Sequence, residues 1–532
     1  MAIMAMDTVK KRKIAAFVVA TCFHQSTIAG DWLFDPSLVI DETYSDNIEQ
    51  TTKNQLSSLV SQTGVAIQTS YQAQLLQFSF SSLSNYAFYS HDHGLDKDYH
   101  TLNSDFTLKL GQQGFSLIGS AAINNRARNG ATNSLADIVS ADTVRVETYS
   151  GGIAYNQSNS DFIINSNIRY NLTTSADNIG NQEGYSGSLF SKNGNGARLL
   201  FWDVQGSYQE RNNNSQTSRT YQGEIKLGLI TNFKLNPFLR YYDEDNAGNI
   251  NRSGQSTESN AYGAGIRWLV TPRFHLDVSY NKPIGNTVNI DGEEQKEYLD
   301  ASLNWQLSSR TQLEATFSQR FYGDSYSFNL AHQNKRLTNN INYQEQIQSF
   351  TRNNFNPVTL GNFWCPDGDS TILSNCYLPN NASINLDHFQ LIAITDFELI
   401  EDNVLSLNKT LSWSSALKLA RSSFTLNISV NNREDLATGV ENKNSALTFK
   451  ASRKVSGRSN IKLTGSYTDN HYQIASEFER QDRYRQVGIS YDKSLNSYLK
   501  LTFDLSHVNR SSTQQQFNYN EGRAAFKITK DF

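Results

Sequence analysis

Apolar and polar side chains alternate one for one along segment after segment of this chain, each about ten residues long. In residues 423–433, Phe424, Leu426, Ile428 and Val430 fall on one side and Thr425, Asn427, Ser429 and Asn431 on the other. Leu499, Leu501, Phe503 and Leu505 alternate with Lys500, Thr502, Asp504 and Ser506 in the same way. A period of two belongs to an extended strand with one apolar and one polar face. Past residue 30 no run of about 18 consecutive apolar residues occurs, which excludes a bundle of membrane-spanning helices. The 29 Phe, 26 Tyr and 6 Trp argue equally against a disordered chain. Together with only 7 Pro, these features make the 532 residues read as a large all-β protein.

A soluble sandwich also alternates, so the connections have to discriminate. Short links at 112–113, 271–272, 308–309, 420–422, 457–458 and 495–496 take turns with longer polar links at 243–257, 283–295, 434–444 and 470–481. A transmembrane barrel has this rhythm, with short periplasmic turns at one end and long loops at the other. The tight connection at Gly323 and Asp324 is the one lapse, where a long loop is due. Counting on this rhythm gives about 24 strands, within 22–26, the first near residues 37–44 and the last ending at Phe532. The expected fold is a single transmembrane antiparallel up-and-down β-barrel over residues 30–532, with no N-terminal plug domain. Gly151 and Gly152 suggest a bulge. Lipid requires every backbone N–H and C=O to be paired, which a closed barrel achieves.

The N-terminus and the cysteines set the compartment. Lys10, Lys11, Arg12 and Lys13 precede an apolar run over 14–23 and the small-residue stretch 26–30, the layout of a secretory signal peptide with cleavage after residue 29. Residues 1–29 carry four basic side chains and one acidic one, so cleavage takes the formal charge from −4 to −7. Cys365 and Cys376 remain, and an exported chain favours a disulfide between them. They sit in the largest insertion, 349–402, read as a long external loop. That loop either folds over the lumen as a constriction or projects outward.

Counting back from the end, Phe532, Ile528, Phe526 and Ala524 fall in phase. This resembles the C-terminal signature of bacterial outer-membrane barrels that the barrel-assembly machinery reads, with Lys530 departing from it.

The inward positions carry both signs of charge: Glu224, Lys226, Arg240, Arg267, Asp277, Asp300, Glu314, Arg320, Lys450, Lys462, Lys500 and Asp504. Such a lumen suits water and polar solutes with no strong bias toward cations or anions, and its ion pairs are expected to be solvated and modest. No nucleophile, metal or phosphate-loop motif is present, so no catalytic residue, metal site or cofactor is assigned. His91, Asp92 and His93 read as an external loop rather than a metal pair. The net charge and the lack of basic clusters make nucleic acid an unsuitable partner.

Residues 36–48 resemble the opening of a family of outer-membrane β-barrel proteins associated with PEP-CTERM/exosortase and exopolysaccharide loci. The specific part is Glu42, Thr43, Tyr44, Ser45, Asp46, Asn47 and Ile48. The resemblance implies an outer-membrane location and a role in exporting or anchoring surface polysaccharide, with polysaccharide export components as partners. The expected function is a non-catalytic pore for polar solutes or exported polysaccharide. The alternative is a structural surface protein with a closed lumen that holds exopolysaccharide or sorted proteins, with Tyr99, Phe355, Phe363, Trp364 and Tyr377 stacking on sugars from the loops.

Overall fold

The computed structural model describes residues 30–532 apart from residue 112 and segments 128–138, 140–142, 177–179, 214–216, 249–256, 286–287, 291, 367–388 and 476–477. Over 349–404 and 474–478 it describes the backbone alone. The signal segment 1–29 therefore lies outside the described residues, as does Cys376 with its expected bridge to Cys365.

Among the described residues, 24 antiparallel strands run from β1 (Gly30–Ser45) to β24 (Tyr519–Asp531) in one sheet. Each strand pairs with its sequence neighbours, and β1 pairs back onto β24 from Ser37↔Asp531 to Ser45↔Arg523. The sheet closes on itself, as the alternating links require. Tight turns at 272–273, 309–310 and 457–458 gather at one end, and the links 46–57 and 284–297 lie at the other.

The outer face is apolar and the inner face polar, the reverse of a water-soluble barrel. Leu239 is 67% exposed while its neighbour Arg240 is 4% exposed. Ile168, Val487 and Leu505 are similarly bare on the outside. A continuous belt of this kind is far larger than the patches a soluble monomer leaves in water, so it faces acyl chains. Tyr44, Tyr170, Tyr208, Trp268 and Trp305 are exposed on the same face, where their amphipathic rings suit the interfaces. Phe526 and Ile528 also belong to it, Ile528 opposite Ile40 across the closing seam and Phe526 stacked 4.8 Å from Phe503.

Four local readings change. β19 (Ser422–Asp435), β20 (Glu441–Ser456), β21 (Ser459–Ala475) and β22 (Phe478–Ser494) absorb most of the links expected at 434–444 and 470–481. Their polar residues mark strand that has left the membrane, not the end of strand. Residues 349–402 are likewise not an irregular loop throughout. β17 (Leu337–Pro366) and β18 (Phe389–Lys418) pair from Leu337↔Leu417 to Pro366↔Phe389, with one register shift between Thr359 and Gly361. β6 (Thr143–Ser158) carries no bulge at Gly151 and Gly152, which pair regularly with Gly119 and Ile118. A Cβ on Gly152 would stand 2.0 Å from the Ile168 carbonyl oxygen, so close strand approach explains that glycine. The tight external turn consists of Phe321 and Tyr322, between β15 (Thr311–Arg320) and β16 (Gly323–Gln333), with Gly323 at φ 103° opening β16.

Candidate functional site: the lumen and its external mouth

One sector of the lumen is filled by charge. It is built on β10 (Thr217–Leu229), β11 (Leu235–Ala247), β12 (Ala261–Thr271), β13 (Phe274–Pro283) and β14 (Tyr298–Ser308). The inward positions of β12 at Gly263 and Gly265 carry no side chain. A Cβ there would fall 2.2 Å from Asn281 Oδ1 and 2.5 Å from the Phe238 ring. Arg240, in register with Gly263, uses that gap to reach over β12. Its Nη1 donates to Asn281 Oδ1 at 3.1 Å, its Nη2 pairs with Asp300 at 3.0 Å and its Nε with Glu224 at 2.5 Å. Lys226 Nζ lies 3.7 Å from Glu224, 3.8 Å from Asp277 and 3.3 Å from Ser302 Oγ. Arg267 grips Asp277 with two hydrogen bonds of 2.8 and 2.7 Å and stacks 4.2 Å from the Phe201 ring.

Contacts that skip two strands are possible only on a concave face, which fixes this side of the sheet as the lumen. The expectation of screened, modest ion pairs fails here. Arg240, Asp277 and Lys226 are buried, and a buried ion relies on its partners because it has lost its water. Glu244, Asn281 and Ser302 join the cluster without having been expected from sequence. They stand at the same parity as Arg240, Asp277 and Asp300, so alternation alone could have found them. Glu314 sits just outside the cluster, accepting from Asn304 at 3.1 Å and Gln312 at 2.8 Å.

Above this cluster the mouth narrows. Arg320 lies 3.7 Å from Glu244, which also accepts from the Tyr242 hydroxyl at 2.7 Å. Phe321 is fully buried against Leu405, Leu407 and Leu436, with Ile290, Tyr322 and Ile347 around them. Its N–H donates to Ser259 Oγ at 2.7 Å. β17 leaves β16 after Gln344, and β18 leaves β19 above Ser406. Beyond these points the two strands pair only with each other, as a ribbon. Its base crosses the ring: Gln346, Ile347 and Gln348 line a cavity of about 270 Å³ together with Gln209, Gln222 and Glu244. Six strands separate β10 from β17 around the barrel, so this contact is a chord through the mouth.

The opposite wall is different. On β21, β22 and β23 (Leu499–Ser512), Asp492 pairs with Lys462 at 2.6 Å and with Lys500 at 3.4 Å, and accepts from Thr502 Oγ1 at 2.9 Å. These lysine side chains are 48% and 45% exposed. Lys450 on β20 is exposed on the same face, and Asp504 faces inward beside them. Nearer the mouth, Asp482 takes Arg480 at 3.2 Å and Arg510 at 2.8 Å, all three buried. The two guanidinium groups stack on Phe517, Arg480 also on Tyr472 and Arg510 on Tyr484. The twelve lumen residues read from sequence thus share the inner face but divide between two environments.

The external loops differ from expectation at Tyr99. Tyr99 is not a loop aromatic available to sugars; it is buried with Ile48, Val60, Ala87 and Tyr89, and its hydroxyl lies 3.1 Å from that of Tyr89. Tyr377 lies outside the described residues, and of Phe355, Phe363 and Trp364 only the backbone is described. His91 Nδ1 meets Ser58 Oγ at 2.7 Å and Asp92 accepts from the Gly94 N–H at 2.8 Å. The second contact belongs to turn formation, and the first ties this loop across to the neighbouring strand at Ser58.

No protein family matches the sequence, and no curated protein does. Among solved structures, the chain is similar to the siderophore receptor PirA of Acinetobacter baumannii, with 10% identity and a TM-score of 0.42, over 96% of this chain and 81% of that one. A mutant of the ferric enterobactin receptor PfeA of Pseudomonas aeruginosa gives 9% identity and a TM-score of 0.41, over 94% and 80%. A loop-deletion mutant of OmpT, an outer membrane protein of Vibrio cholerae, gives 7% identity and a TM-score of 0.33, over 95% and 100%.

Proposed function

We propose that the chain is a non-catalytic outer-membrane pore, delivered by a cleaved signal peptide and inserted by the barrel-assembly machinery. In this reading polar solutes pass along the solvated wall of β20–β23. The observation that carries it is the inverted barrel: a closed ring, apolar outside, with half-exposed lysines inside. Nothing in the arrangement of the lumen residues calls for chemistry, so no reaction is assigned. The resemblance at residues 42–48 adds surface polysaccharide as a candidate cargo, with export components as partners. Purified protein in planar bilayers should give discrete conductance steps. Bilayers that stay at background current would overturn the pore.

The ribbon chord across the mouth favours one second reading, a structural surface protein whose lumen is shut and whose ribbon holds exopolysaccharide. Cells deleted for the gene would then shed their polysaccharide, and normal retention would defeat that reading.

A further inference from the structure

The sign of the charge on the open wall is not balanced. β22 places two carboxylates on the inner face, Asp482 and Asp492, about 33 Å apart along the strand at roughly 3.3 Å per residue. Each is held between two cations, Asp482 by Arg480 and Arg510 and Asp492 by Lys462 and Lys500. The lower triad, whose lysines reach water, leaves one positive charge in excess near the lower rim, whereas the upper one is buried. Lys450 adds a further exposed cation next to the lower triad, and Asp504 offsets one charge. The opposite sector behaves otherwise, because there the cations Lys226, Arg240, Arg267 and Arg320 are met by Glu224, Asp277, Asp300 and Glu244 and largely withdrawn from water, with Glu314 beside them. The whole chain is acidic, at −4, so the positive wall is a local arrangement and not a reflection of net charge.

Resting on the pore reading, we infer that this lumen selects anions and that its solutes are acidic, bearing carboxylate, sulfate or phosphate groups. A water-filled bore walled by low-dielectric lipid and protein focuses the field of its lining charges. Rings or rows of Lys and Arg are the means by which anion pores select. The ammonium groups of Lys462 and Lys500 are half-exposed, so each can meet a passing anion on its open side while still holding the buried Asp492.

The test is the reversal potential in planar bilayers under a potassium chloride gradient. The expected result is a chloride-to-potassium permeability ratio above one. Combining Lys450→Glu, Lys462→Glu and Lys500→Glu should bring it below one, and Asp492→Asn should raise it. Lys462→Gln and Lys500→Gln, milder changes at solvated positions, should lower it. Heat-modifiable migration on gels confirms that each variant is folded. A wild-type ratio at or below one, or a ratio that none of the folded variants moves, overturns the inference and leaves the pore standing. A wild-type protein that never conducts overturns the pore itself. Added oligogalacturonate that blocks current where a neutral dextrin of equal length does not identifies acidic saccharide as the cargo. Block by neither narrows the class to small acids, and equal block by both overturns charge as the selector.

Discussion

Arg240 and Asp300 pair at 3.0 Å although β12 and β13 lie between their strands. The guanidinium crosses the glycine gap of β12 to do so, and both side chains are buried. Removing Arg240 leaves Asp300 dry and without its cation, and removing Asp300 leaves the buried Arg240 with only the Glu224 carboxylate. Asp300→Ala or Arg240→Ala should therefore cost about 3–5 kcal/mol, read as a lower urea midpoint for the unfolding of detergent-solubilised barrel. The paired change Arg240→Met with Asp300→Leu should recover most of that loss. Equal midpoints for the single variants and the wild type would show that water reaches the cluster.

Gly263 makes the same crossing possible from below. Gly263→Ala would set a methyl 2.2 Å from Asn281 Oδ1 and 2.6 Å from the Tyr280 carbonyl oxygen, and the second contact is backbone that cannot swing aside. The expected loss is about 1–3 kcal/mol, the range for overpacking. The same substitution at Gly465, on the outer face of β21 with nothing near its absent Cβ, should change the midpoint little.

The strand count and the end-to-end ordering were legible from alternation together with the rhythm of short and long links, and the inward set from period two alone. Where strands outrun the bilayer, as at Glu434 or Asn470, polarity on both faces erased that period and strand read as loop. The division of the lumen was illegible for another reason. Alternation says that Arg240 and Lys462 both point inward, but not that Gly263 lets the first reach Asp300 while the second stays in water. Tyr99 was misplaced because a polar neighbourhood, Lys97 to His100, surrounds a residue whose partners, Ile48 and Val60, are distant in sequence.

The lipid and lumen faces can be told apart by one substitution on each. Leu505 is 58% exposed on the outside, and Leu505→Arg near the middle of β23 should destabilise the barrel by about 2–4 kcal/mol. Ser506→Arg, one residue on and facing the lumen, should be tolerated within about 1 kcal/mol, since it meets water. Unfolding in liposomes measures both. Similar losses at the two positions would mean that the outer face does not meet acyl chains.

The ribbon is anchored to the mouth chiefly through Phe321, whose ring is buried against Leu405, Leu407 and Leu436. The anchor is short-range and apolar; beside it the Phe321 carbonyl accepts from the Ile290 N–H at 2.8 Å and the Phe321 N–H donates to Ser259 Oγ. Phe321→Ala keeps both bonds and removes the ring, a loss of about 3–5 kcal/mol for a buried phenylalanine. The turn is local, so the barrel's pairing should survive while the base of β17 and β18 comes away from β10 and β11. Three readouts should then move together. Single-channel conductance should rise, trypsin should cut more readily after Arg352, and the heat-modifiable shift should stay unchanged. An unchanged conductance with faster proteolysis would place the permeation path wholly along the opposite wall, past Lys462 and Lys500, with the ribbon acting only as a surface arm. A lost heat-modifiable shift would instead show that Phe321 holds the barrel and not just its mouth.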